Sequence, residues 1–196
     1  MGNDTRRLTV EWDDPFVPLA AGRELSGLEY MQRLIAGDFP PPPISKLLGF
    51  RLASVAPGEA VFECLPGEQH YNPIGVVHGG LAMTLLDSAM GCCVHTLLPR
   101  GAGYSTLEVK ANLVRAITRD TGLLRASGRV IHQGRTTATA EGRLEDAAGK
   151  LYAHATTTCI VLSTAASDQA GSSRGEAPAT GFQSSRRGWN SARVER

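Results

Sequence analysis

Between Asn72 and Pro99 the chain reads NPIGVVHGGLAMTLLDSAMGCCVHTLLP. A Pro/Gly turn and a His-Gly-Gly triplet open it, and the run that follows carries a single acidic or basic charge, Asp87. As a helix, this run would span ~30 Å, the width of a small domain. Leu81, Leu85, Ala89 and Cys92/Cys93 recur at helical spacing, while Ala82, Met83, Leu86, Met90 and Val94 fill the other faces. A helix apolar on every side is buried on every side in a water-soluble protein. Thr84, Asp87, Ser88 and the glycines argue against a membrane span, because a carboxylate in lipid is costly. The run predicts a central helix wrapped by other structure, with one carboxylate held inside.

The chain has 196 residues, 42% of them hydrophobic, and a formal net charge of +1. That length suits one domain with extensions. The near-neutral charge points to neither nucleic acid nor an acidic partner. The charged opening MGNDTRRLTVEWDDP has no apolar core of a secretory signal, and Arg6 stands where a myristoylation pattern needs Ser or Thr. The cysteines, Cys64, Cys92, Cys93 and Cys159, form no C-x-x-C pair. They read as small buried hydrophobes in a reducing cytoplasm, and no metal or other cofactor is expected.

Three regions follow from the patterning. Residues 1–43 form an N-terminal arm and helix. Residues 1–22 show no clear period, whereas Leu25, Leu28, Met31 and Leu34/Ile35 predict an amphipathic helix over 24–39, capped at or before Ser26 and ended by Pro40 to Pro43. Residues 44–163 form the main domain. A turn of helix at 44–50 leads to strands 52–57 and 60–65 around Pro57-Gly58. After the central helix, strands are expected at 104–117, 123–132, 136–144 and 152–162, joined by short hairpins. In the first of these, Leu107, Val109, Ala111 and Leu113 share one face. Ala138, Ala140, Ala153 and Ala155 leave room for the helix against the sheet. Residues 164–196 are rich in Ala, Ser, Gly and Arg and read as disordered. The layout is α+β: a long central helix wrapped by a curved antiparallel sheet, with an extra N-terminal helix. Exposed sheet edges favour pairing between copies.

Some residues offer chemistry on local grounds. Asp87 lies in an apolar helix, where a carboxylate is costly unless it is hydrogen-bonded or useful. His78, Gly79 and Gly80 open that helix. There the first N–H groups lack intrahelical acceptors and the dipole is positive, so the Gly79 N–H is a candidate oxyanion donor. The competing reading is a tight turn beside a structural histidine. Asn72 either orients a carbonyl or water or is an ordinary turn residue before proline.

The runs NPIGVVHGGLAMTLLDSA, STLEVKANLVRA and GKLYAHATTT resemble the PaaI-like hotdog-fold acyl-CoA thioesterases, over roughly residues 45–162. The combined Asn…His-Gly-Gly…Asp spacing carries the resemblance more specifically than His-Gly-Gly alone. It implies a hotdog fold, a homodimer through the sheet edges, commonly a dimer of dimers, and an acyl-CoA substrate hydrolysed without a metal. Asn72, His78, Gly79 and Gly80 would come from one chain and Asp87 from its partner. Asp87 would be general base or nucleophile, Gly79 would polarise the carbonyl, and His78 would support the loop. A strand hydroxyl often assists in this family, and here it is Thr106 or Ser105. Arg135 matches the basic residue that meets CoA phosphates, ahead of Arg129, Arg143 and His154. Two other functions fit the same residues less well: a hotdog dehydratase or hydratase, and a non-catalytic protein that binds acyl thioesters.

Overall fold

A computed structural model describes residues 4–162; the tail expected to be disordered lies outside them. Three short helices come first: α1 (Phe16–Gly22), α2 (Gly27–Ala36) and α3 (Pro43–Leu48). Strands β1 (Phe50–Ala56) and β2 (Glu59–Cys64) follow, then the long helix α4 (Gly79–His95). Strands β3 (Gly103–Leu113), β4 (Leu124–Gln133), β5 (Thr137–Asp146) and β6 (Leu151–Leu162) complete the chain.

Helix α2 is shorter than the expected 24–39 and begins directly after Ser26, the later of the cap positions left open. The Ser26 hydroxyl accepts from the Glu29 N–H at 3.3 Å, and a Glu29 carboxylate oxygen accepts from the Ser26 N–H at 2.9 Å. Gly37, at φ 86°, ends it in the left-handed conformation. The N-terminal arm differs from expectation. Phe16–Gly22 is helical although no apolar period marks it, with Pro18 inside its first turn, where proline costs no intrahelical bond.

The six strands make one antiparallel sheet in the order β1-β2-β4-β5-β6-β3. The sheet curls around α4, as the hotdog fold requires. Hairpins join β4, β5 and β6, but the expectation that hairpins join all four late strands is corrected. Strand β3 pairs with β6, so the link from β3 to β4 crosses the sheet and leaves β1 and β3 as its two edges.

The close fit of helix to sheet has a compositional cause. One row across the sheet consists of Ala60, Gly128, Gly142, Ala155 and Ala111, paired in that order. A Cβ on Gly128 would stand 2.3 Å from the Ala89 carbonyl oxygen, and one on Gly142 would stand 2.9 Å from Met90 Cγ. This trough of small residues lets the α4 backbone lie almost on the strands. Leu85, Leu86, Ala89, Met90, Cys93 and Val94 are fully buried there, and each large side chain among them contributes about 1.5–3 kcal/mol.

Two irregularities reverse side-chain directions. A bulge between Thr106 and Glu108 turns Leu107 outward, so Leu107 does not share a face with Val109 and is exposed. Leu113, expected on the inner face, is also exposed. A second shift between β5 and β6 brings Tyr152 into the core beside Ala153. No helix among the described residues is long and apolar enough to cross a membrane.

Candidate active site

The loop before α4 is closed by Asn72. Its Oδ1 accepts from the Ile74 N–H at 3.1 Å and the Val76 N–H at 3.3 Å, while its own N–H donates to the Val76 oxygen at 2.8 Å. The Asn72 carbonyl oxygen is therefore committed to the loop, and its amide NH2 is the part left for a ligand. The His78 N–H donates to the His70 oxygen at 2.7 Å and fixes the chain as it enters the helix.

His78 is the N-cap of α4, with extended dihedrals, and its Nδ1 accepts from the Gly80 N–H at 2.8 Å. The Leu81 N–H donates to the His78 oxygen at 3.0 Å. Two of the first three helical N–H groups are thus satisfied within the chain. Among the described residues the Gly79 N–H has no acceptor. It is the open donor at the positive end of a 17-residue helix. His78 is exposed rather than a core histidine, and its ring acts on the loop. Gly79 and Asn72 line one cleft of about 300 Å³, together with Leu113, Arg115, Ile117 and Tyr152.

Asp87 lies elsewhere on the same helix. The Thr106 hydroxyl donates to Asp87 Oδ1 at 2.9 Å. Ser105 points to the opposite face of β3 and is exposed. Of the two hydroxyls that the sequence left open, Thr106 is the one beside the carboxylate, with the bulge at Leu107 directly after it. Asp87 follows Gly79 by eight residues, which is ~12 Å along the helix and most of a quarter turn around it. A single small carbonyl group therefore does not meet both within one chain.

Burial disfavours the thiolate form of the cysteines. Burial pushes the Cys92 and Cys93 thiols up to about 12 and Cys64 up to about 11. Burial also raises the Tyr104 phenol well above its ordinary value.

Arg135 sits at the β4–β5 hairpin, exposed, with no carboxylate partner among the described residues. The weaker candidates are engaged: Arg129 pairs with Glu141 at 2.6 Å and Arg143 with Glu145 at 2.9 Å. His154 is exposed on β6. Sequence reasoning missed Arg115, which borders the Asn72–Gly79 cleft, lies 5.7 Å from the Tyr152 ring centroid and donates to the Leu151 oxygen. Its signal was its place inside the STLEVKANLVRA run.

The thioesterase superfamily model matches residues 74–153, a span that holds His78, Gly79, Gly80, Asp87 and Thr106. The acyl-coenzyme A thioesterase 13 of Homo sapiens is 34% identical over 104 residues, covering 52% of this chain and 72% of that protein. The 1,4-dihydroxy-2-naphthoyl-CoA hydrolase of Listeria monocytogenes is 27% identical over 108 residues, covering 55% and 86%. Among solved structures, a phenylacetic acid degradation-related protein of Ralstonia eutropha JMP134 superposes with a TM-score of 0.61 at 32% identity, covering 67% of this chain and 98% of that one. The chain belongs to the thioesterase superfamily and has its hotdog fold. The resemblance to PaaI-like hotdog thioesterases carried by the Asn…His-Gly-Gly…Asp spacing is borne out.

Proposed function

We propose that the protein hydrolyses acyl-CoA thioesters to free acid and CoA at a site shared by two copies of the chain. The observation that carries this reading is the division of the machinery along α4. The Thr106-braced Asp87 and the open Gly79 N–H are separated by ~12 Å on one helix, so a partner chain must bring one of them to the other. Strand β3 is a sheet edge with Leu107, Leu113 and Val114 exposed near it, and an unpaired edge of that kind suits pairing with a second copy. The assembly is a homodimer across this edge, and two such dimers pair in turn.

In the reaction, Asp87 of one chain takes a proton from a water as the water oxygen attacks the thioester carbonyl carbon. Negative charge develops on the carbonyl oxygen and is received by the Gly79 N–H of the other chain. The tetrahedral intermediate collapses, the C–S bond breaks, and the CoA sulfur leaves with the proton that Asp87 held. The Asn72 NH2 helps place the carbonyl or the water. His78 keeps the Gly80 N–H occupied and so shapes the helix start. Arg135, exposed and without a carboxylate partner among the described residues, is a contact for the CoA phosphates. The family relatives named above support thioester hydrolysis as the class of reaction.

The test is thiol release from a panel of aryl and C4 to C16 acyl-CoAs. Turnover above the enzyme-free rate on at least one is expected. Tight binding with no turnover on any would replace hydrolysis with acyl-thioester binding, and dehydration of a 3-hydroxyacyl-CoA without thiol release would replace it with dehydratase activity.

A further inference from the structure

Helices α1 and α2 lie outside the span that matches the superfamily model. Helix α2 is nevertheless docked onto the end of its central helix. The Gly27 N–H donates to the Leu98 oxygen at 3.0 Å, and a Cβ on Gly27 would stand 1.8 Å from the His95 oxygen. The start of α2 therefore rests directly on the end of α4.

Beside this contact lies an open pocket of about 500 Å³, a size that suits a small organic group. Leu19, Tyr30 and Met31 form one wall and His95, Tyr104 and Leu162 the other. The rings of Tyr30 and His95 meet edge to face at 6.0 Å, and those of His95 and Tyr104 lie 5.6 Å apart. Burial lowers the His95 pKa, so the imidazole is neutral at pH 7, and the charge on the lining is that of the exposed Arg23.

The pocket is in line with the braced carboxylate. Asp87, Gly91 and His95 are spaced by four residues and form one stripe on α4. On β3, Thr106 and Tyr104 alternate on the same inward face. Thr106 meets Asp87, and the Tyr104 ring lies over Gly91, where a Cβ would come within 2.6 Å of its hydroxyl. The stripe runs from the carboxylate, beneath the packed Tyr104 ring, to His95 at the pocket wall.

We infer that α1 and α2 are a specificity element: with the end of α4 and the start of β3 they hold the far end of an apolar acyl group whose carbonyl lies at Asp87. The inference rests on the proposed thioester hydrolysis and adds to it the class of acyl group and the residues that select it. Leu19 and Leu162, exposed on opposite sides of the mouth, are covered when the acyl group enters.

The test compares wild type with Leu19→Trp, which fills the pocket from the side of α1. Non-cleavable ethyl and octyl thioether analogues of acyl-CoA are titrated calorimetrically, and thiol release is measured on acetyl-CoA and octanoyl-CoA. The octyl-over-ethyl affinity ratio is expected to fall at least ~tenfold in the variant, the loss of about two buried methylenes, and the ratio of kcat/KM should follow. Leu162→Trp, from the opposite wall, should give the same result and serves where Leu19→Trp does not fold. Ratios unchanged in both variants would overturn the pocket and leave hydrolysis standing. A wild type that binds the octyl analogue more tightly than the ethyl one, loses that preference in the variants and releases no thiol would support the pocket while overturning hydrolysis.

Discussion

The Thr106 hydroxyl donates to Asp87 Oδ1 at 2.9 Å, tying the middle of α4 to edge strand β3. The bond holds one carboxylate oxygen in place and leaves the other free to face water. A hydrogen bond to a charged group contributes about 1.5–3 kcal/mol. Thr106→Val keeps the shape and loses the bond. Its kcat/KM on the best acyl-CoA should fall roughly ten- to a hundredfold. Ser105→Ala, on the outer face of the same strand, should stay within about twofold of wild type. Equal effects from the two substitutions would contradict the placement of the hydroxyl.

Gly79 allows the N–H to be removed without breaking the helix. It is the first helical residue, where proline is tolerated, and His78 before it already has the extended dihedrals that a following proline requires. Gly79→Pro should lower kcat by ~10²–10³ with folding retained, the usual loss of one oxyanion donor. Gly79→Ala introduces the same Cβ, which meets only the end of the Leu113 side chain, and keeps the donor. It should lose far less activity. Circular dichroism and kcat for the pair check this, and a matched loss in both would assign the effect to crowding instead.

The row of small residues under α4 has a stability consequence. Gly128→Ala drives a Cβ into the Ala89 carbonyl, which is backbone and does not rotate away. Destabilisation of about 1–3 kcal/mol or more is expected from the urea midpoint. Gly149→Ala, in the open turn before β6 at φ 78°, strains only its own backbone and should cost about 1 kcal/mol.

Acid should weaken the fold through buried histidine. Burial lowers the pKa of His95 and of His70, so each stays neutral in the folded protein where the unfolded chain has already taken up a proton. The unfolded state binds more protons, and stability therefore rises with pH. Loss begins near the unfolded value of ~6.5 and continues as the pH drops toward the lower folded values. The His95 Nδ1 is buried without a hydrogen-bond partner among the described residues. His95→Phe should flatten the slope of unfolding free energy between pH 7.5 and 5.5, with His70 left to supply the rest. An unchanged slope would remove His95 from the account.

Much of this was legible in the sequence because it depends on local chemistry. A helix apolar on every side with one carboxylate announces a buried helix. His-Gly-Gly announces its start, and Ser26 with Glu29 announces the start of α2. Ala138, Ala140 and Ala155 reveal the close approach of helix to sheet. What was not legible depends on distant pairing. Nothing near β3 says that it lies beside β6 rather than β4, since either neighbour satisfies its alternation. The bulge at Leu107 looks like unbroken alternation until β6 is laid against it. Ser105 and Thr106 face opposite ways by ordinary alternation, and which of them meets Asp87 is set by the packing of β3 on α4, which the motif alone does not contain. The pocket formed by α1 and α2 was hidden for a similar reason: Tyr30, His95 and Tyr104 come together only in three dimensions.

The central claim is that one reaction centre takes Asp87 from one chain and the Gly79 N–H from another. Asp87→Ala and Gly79→Pro chains, carrying different tags, can be co-expressed and the mixed oligomer purified. Each variant alone should release little thiol from an acyl-CoA that wild type cleaves. In a mixed dimer one site carries both defects and the other carries neither, so the purified hybrid should recover about half of the wild-type rate. A hybrid no more active than either parent, at the wild-type oligomer mass, would contradict a site shared between chains.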